Sequence, residues 1–125
     1  MPISNFPEYA QSVSNILNTL VSTGLGRIEN LSIDQRSRLR GFISGILIFN
    51  DESELHFREF IDNSLIEPRL MYVYHYQDHN KKLILRYDNA AHHHHLPQAE
   101  HKHTPDGIHS AQPPTLEQII DEIIG

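Results

Sequence analysis

Ten histidines in 125 residues, with Arg58 and Arg86 among them, are the part of this sequence best equipped for chemistry. Imidazoles exchange protons near neutral pH, so one can accept a proton while another supplies one. Guanidinium groups stay charged and match phosphate oxygens with parallel donors. His56, Arg58, His75 and Arg86 fall in stretches of β-formers, and Asp88 and Asn89 follow Arg86 closely. His93, His101, Lys102 and His103 come next, and Lys102 is placed to stabilise a phosphorane or a departing oxygen. The Asn89 amide could orient one of the imidazoles. Together these are the parts of a metal-independent ribonuclease, which needs a 2′-hydroxyl on its substrate, acid–base groups and cations. If the same residues do not converge, they are solvated or paired surface charges.

Metal binding is the rival chemistry. His92, His93, His94 and His95, followed by His101 and His103, offer many imidazole ligands, and Asp88 is near in sequence. Adjacent histidines on an extended chain alternate in direction, so only about half of the tetrad could reach one ion. No H-E-x-x-H or comparable spacing is present. The expectation is therefore no resident cofactor, with adventitious Zn or Ni held by the His cluster.

Other classes are set aside more simply. With no cysteine there is no disulfide framework and no thiolate nucleophile or ligand. Nucleophile elbows, P-loops and dinucleotide fingerprints are absent from the sequence. The net charge of -6 argues against a generic nucleic-acid coat, leaving room only for a locally cationic site. The chain shows neither a secretory leader nor an apolar run long enough to span a bilayer, so a cytoplasmic protein without membrane association is expected.

These residues must be positioned by one small domain covering 1–125, of the α+β class. Phe6, Tyr9, Val13, Ile16, Leu17 and Leu20 share one stripe at helical spacing, with Asn5 as N-cap and Gly24 and Gly26 as the stop. From 27 to 89 the period changes to runs of β-formers, giving strands at 27–34, 38–49, 54–62, 69–77 and 82–88. The expected sheet is an antiparallel meander of four or five strands. A long His-rich loop follows from 90 to 114. Thr115 with Gln118 then forms a capping box for a C-terminal helix with an Ile-rich face. That face either docks on the sheet or meets a partner.

Strand alternation sorts the candidates. Tyr72, Tyr74 and Tyr76 share one face of their strand, and His75 points away from them. A hairpin centred on His79-Asn80 pairs Tyr76 with Leu83 and His75 with Ile84. That register leaves Leu83, Leu85 and Tyr87 with the tyrosines, and His75, Arg86 and Asp88 together opposite. His56 and Arg58 share a face of the 54–62 strand, while Glu59 sits oddly among Leu55, Phe57 and Ile61. A Glu–Arg pair or a strand end near solvent accounts for it more economically than catalysis does.

The runs Glu54-Leu-His56-Phe-Arg58-Glu59, Tyr72-Val-Tyr-His75-Tyr-Gln and Leu83-Ile-Leu-Arg86-Tyr87-Asp88-Asn89-Ala90-Ala-His92-His93 resemble the TumE family of small bacterial toxins. So do His101-Lys102-His103 and Pro113-Pro-Thr-Leu-Glu, and the resemblance spans about residues 40–124. Ala91 replaces a frequent Pro, His94-His95 extend the His pair, and Glu100 stands at a frequent His. The resemblance implies the toxin half of a toxin–antitoxin pair with a helix-turn-helix antitoxin as partner. RNA cleavage is the commonest route by which such toxins stop growth, which makes RNA the expected substrate. A non-catalytic binding module using the C-terminal helix, and a His-ligated metal enzyme, remain as alternatives. A homodimer is compatible with either.

Overall fold

The computed structural model describes residues 5–89 and 101–125. Helix α1 runs Phe6–Ser22, and the Asn5 side chain accepts from the Glu8 N–H at its start. Its Phe6, Ala10, Val13, Leu17 and Leu20 are buried, as the 3.6-residue stripe requires. Among the described residues seven strands follow: β1 (Gly26–Gln35), β2 (Arg40–Phe49), β3 (Glu54–Asp62), β4 (Arg69–Gln77), β5 (Leu83–Asp88), β6 (His101–Thr104) and β7 (Gly107–Ser110). All pair antiparallel with their sequence neighbours in the order β1 to β7. Helix α2 (Leu116–Ile124) closes the chain, its capping box formed by Thr115 and Gln118 as expected.

The sheet is larger than the four or five strands expected, because β6 and β7 form within the stretch read as loop. Each has only four residues, too few for a periodic signal.

One face of the sheet carries the core. Leu47, Leu55, Phe57, Tyr74 and Tyr87 pack there with Leu17 and Leu20 of α1 and with Leu116, Ile119 and Ile120 of α2. Leu116, Ile119 and Ile120 of the Ile-rich face of α2 are thus spent on the fold, with Ile123 packed partly against them and Ile124 left 45% exposed. On β2, Gly41 lets the fully buried Phe6 ring lie against the strand, since a Cβ there would collide with the ring. Gly41→Ala is expected to cost about 2 kcal/mol by overpacking. Urea denaturation checks this, and an unchanged midpoint would contradict it.

The β4–β5 hairpin keeps the expected parity but not the expected pairs. Tyr76 meets Leu85 and His75 meets Arg86, with a bulge between Tyr76 and Gln77 that leaves Leu83 opposite Gln77. Asp78 causes the offset: its carboxylate accepts from the N–H groups of Asn80 and Lys82, and Lys81 adopts φ 67°. A shift of two residues returns side chains to the same face, so His75, Arg86 and Asp88 still fall together.

Candidate active site on the open sheet face

Four polar residues line up across adjacent strands on the face away from the core. His56 pairs with His75, His75 with Arg86, and Arg86 with His103. Cross-strand neighbours on one face stand close enough to interact directly. The His56 and His75 rings are 6.4 Å apart and nearly perpendicular. Arg86 Nη1 lies 3.4 Å from His75 Nδ1. A cleft of about 490 Å³ opens over His56, Arg58, His75, Gln77 and Arg86.

Each imidazole has an orienting partner. Glu54 Oε1 lies 2.9 Å from His56 Nε2, and Lys81 binds the other carboxylate oxygen. The hydrogen bond from Lys81, and then that from His56, hold the Glu54 carboxyl below its ordinary range, so it stays ionised beside the imidazole. His75 Nε2 lies 3.0 Å from Gln77 Oε1. A carboxylate or amide oxygen so placed fixes the ring's orientation and tautomer. Burial lowers the titration of His75, the Gln77 contact opposes this, and the charges of Arg86 and His56 lower it further. His75 is therefore a neutral imidazole at pH 7, able to accept a proton.

Behind Arg86 sits Asp88, 2% exposed. Its Oδ2 accepts from Arg86 Nε at 3.1 Å and lies 3.1 Å from His103 Nε2, while Oδ1 is 3.5 Å from His101 Nδ1. A buried carboxylate is retained when cations and donors surround it. Here it holds the guanidinium in the plane of the row. Burial lowers the titration of His103, Asp88 opposes this, and Arg86 lowers it further. In Arg86→Gln, His75 and His103 should both titrate at higher pH, because each loses a neighbouring positive charge. NMR titration of the ring protons checks this, and unmoved midpoints would contradict it.

Not every candidate joins the row. Arg58 lies on the same face, exposed in the cleft, and forms no ion pair among the described residues. His101 pairs with Asp88 but is 1% exposed, so it backs the site without opening to it. Lys102 pairs with Tyr87 and points to the other face, where its Nζ lies 3.1 Å from Glu122 Oε2. It does not reach the site. Asn89 does not orient an imidazole either. Its amide donates to the Leu70 carbonyl and accepts from the Tyr72 N–H, extending the β4–β5 ladder by one step. His93 and the His tetrad lie outside the described residues.

Sequence reasoning passed over Glu54 and Gln77. Both lie two residues from a histidine on the same strand face, and they pair with each other across β3 and β4. Alternation could have found them once that register was known.

Among the described residues no helix is long and apolar enough to cross a membrane. No curated protein and no solved structure matches the chain. The family model described as Toxin TumE matches residues 17–125. That span takes in every strand, the whole His56–His75–Arg86–His103 row and α2, so the chain belongs to the TumE toxin family, toxins of toxin–antitoxin systems that act beside an antitoxin partner.

Proposed function

We propose that this toxin is a metal-independent endoribonuclease whose reaction takes place on the open sheet face. The observation that carries the reading is the row His56–His75–Arg86–His103, with Arg58 in the same cleft. Two imidazoles oriented by separate partners and two guanidinium groups supply the acid, the base and the phosphate clamp.

In the reaction, Arg58 and Arg86 bind the phosphate oxygens of an RNA strand. Drawn toward the phosphate, the Arg86 guanidinium leaves His75 Nδ1 to accept the proton of the 2′-hydroxyl. The 2′-oxygen attacks phosphorus, the bond to the 5′-oxygen breaks, and His56 gives its proton to that departing oxygen. The products are a 2′,3′-cyclic phosphate and a 5′-hydroxyl end. Arg86 stabilises the charge that develops on the equatorial oxygens, held in place by Asp88. A guanidinium 3.4 Å from the His75 ring favours an anionic ligand over a metal cation at that nitrogen, which supports the metal-independent form.

The antitoxin would be a helix-turn-helix protein, as the sequence resemblance suggests. Induced expression of the toxin alone should arrest growth, and co-expression with the antitoxin should restore it. Arg86→Ala should abolish the arrest while the protein accumulates in folded form. Arrest that survives both Arg86→Ala and His75→Ala would sink the reading.

A further inference from the structure

Toward one end of the open face the chemistry changes from charged to aromatic. Phe42 on β2 pairs with Phe60 on β3, and Phe60 pairs with Met71 on β4. The two rings stack with centroids 4.5 Å apart and planes within 13°. Phe42 is 38% exposed. The Arg36 guanidinium lies over its ring at 5.6 Å, held there by an ion pair of 2.9 Å with Asp34.

This platform is continuous with the cleft. A smaller cavity of about 280 Å³ lies against Phe42 and Met71, and it shares Ser44 and Arg58 with the cleft over His56 and His75. Along β3 the open-face order is Phe60, Arg58, His56. At about 3.3 Å per residue, Arg58 stands roughly 7 Å from Phe60, and His56 roughly 13 Å.

We infer that Phe42 and Phe60 form a stacking platform for an unpaired base of a single-stranded RNA, whose next phosphate meets Arg58 on the way to the His56–His75–Arg86 row. The inference rests on the ribonuclease reading for the direction in which the strand runs. Three features favour RNA over a protein partner on this surface. Phe42 spends one face on Phe60, and over its ring lies only the exposed Arg36 side chain, which a flat base can displace. The guanidinium so displaced can stack on the far side of the base and close it between cation and ring. The cation between platform and row, Arg58, has no carboxylate partner among the described residues, and a backbone phosphate supplies that charge. Duplex RNA keeps its bases stacked inside and cannot offer one to the rings, so the substrate is a single strand, a loop or a bulge.

The test uses the whole protein and a short single-stranded RNA with 2′-O-methyl riboses, which binds without being cleaved, carrying 2-aminopurine at successive positions. Tight binding with fluorescence quenched at one position, and much weaker binding of the same sequence in a hairpin stem, is the expected result. Phe42→Leu and Phe60→Leu should weaken binding about 5- to 100-fold and remove the quenching, because stacking needs a π-face and leucine keeps only the bulk. Phe60→Tyr should retain both. If the Leu variants do not fold, ring-proton shifts at Phe42 and Phe60 on adding the oligonucleotide to the wild-type protein decide in favour, and unmoved resonances decide against.

Leu variants that bind and cleave like the wild type would overturn the platform while leaving the ribonuclease reading intact. Leu variants that lose the antitoxin but keep RNA affinity would assign the patch to the antitoxin and overturn it too. Stacked binding by a protein that never cleaves would uphold the platform and remove the catalytic reading instead.

Discussion

His75→Ala is expected to slow RNA cleavage by about 10²- to 10⁴-fold, the range for loss of a positioned general base. The fold should survive, because His75 lies half-buried on the open face and packs into no part of the core. Lys102→Ala serves as the contrast: its side chain is on the opposite face beside Tyr87 and Glu122, and the rate should change little. The pH profile sharpens the prediction. Burial and the charges of Arg86 and His56 lower the titration of His75, with Gln77 opposing. The acid limb of kcat/KM should therefore fall below the ordinary imidazole value of about 6.5. As pH drops through that lowered value the base takes up a proton and the rate declines. An acid limb unchanged in His75→Ala, or a rate within a few-fold of wild type, would remove His75 from the reaction.

Glu59→Leu is expected to cost about 3–5 kcal/mol of stability, a large part of what a domain of this size has. Glu59 is 1% exposed on the core face of β3. Its two carboxylate oxygens accept from the hydroxyls of Tyr9 on α1 and Tyr74 on β4. Arg69 donates to the Tyr74 hydroxyl at 2.8 Å and to the carbonyl of Pro114, just before α2. Burial, then the Glu59 charge, hold Tyr9 and Tyr74 well above the ordinary phenol range, so both remain donors at any pH the protein meets. Leucine would leave two buried hydroxyls without their acceptor and the Arg69 charge without its nearby anion. Because the network ties α1, the sheet and the start of α2 together, the loss should appear as one cooperative transition at lower temperature. Glu59→Gln keeps the shape and one of the two acceptors but turns the other into a donor facing a hydroxyl, so it should cost less than Glu59→Leu without being neutral. A Glu59→Leu protein as stable as wild type but inactive would point to chemistry at Glu59 and overturn this structural role.

The same contrast explains how much of the molecule was legible in its sequence. The face assignments of His56, Arg58, His75, Arg86 and Asp88 follow from period-two alternation, which a register offset of two residues does not disturb. The offset itself was hidden, because it comes from the Asp78 carboxylate gathering two backbone N–H groups and a bulge beside Gln77. Strands β6 and β7 were not legible. His101-Lys102-His103-Thr104 is too short and polar to announce a strand, although Pro105-Asp106-Gly107 is turn-like in composition. With β6 unseen, neither the alignment of His103 with Arg86 nor the turning of Lys102 to the other face could be read. Glu59 shows the other limit. Its place among core residues was plain, but its partners lie 50 and 15 residues away in sequence, and only the packed fold brings them together.

The central claim is that the open face cleaves RNA through its 2′-hydroxyl without a metal. Product ends test it most directly. Purified toxin, freed of antitoxin and incubated with single-stranded RNA in excess EDTA, should yield 2′,3′-cyclic phosphate and 5′-hydroxyl ends. A 2′-O-methyl group at the cleavage position should block the reaction. Ends carrying 5′-phosphate and 3′-hydroxyl, cleavage that EDTA abolishes, or cleavage indifferent to the 2′-O-methyl group would contradict the account.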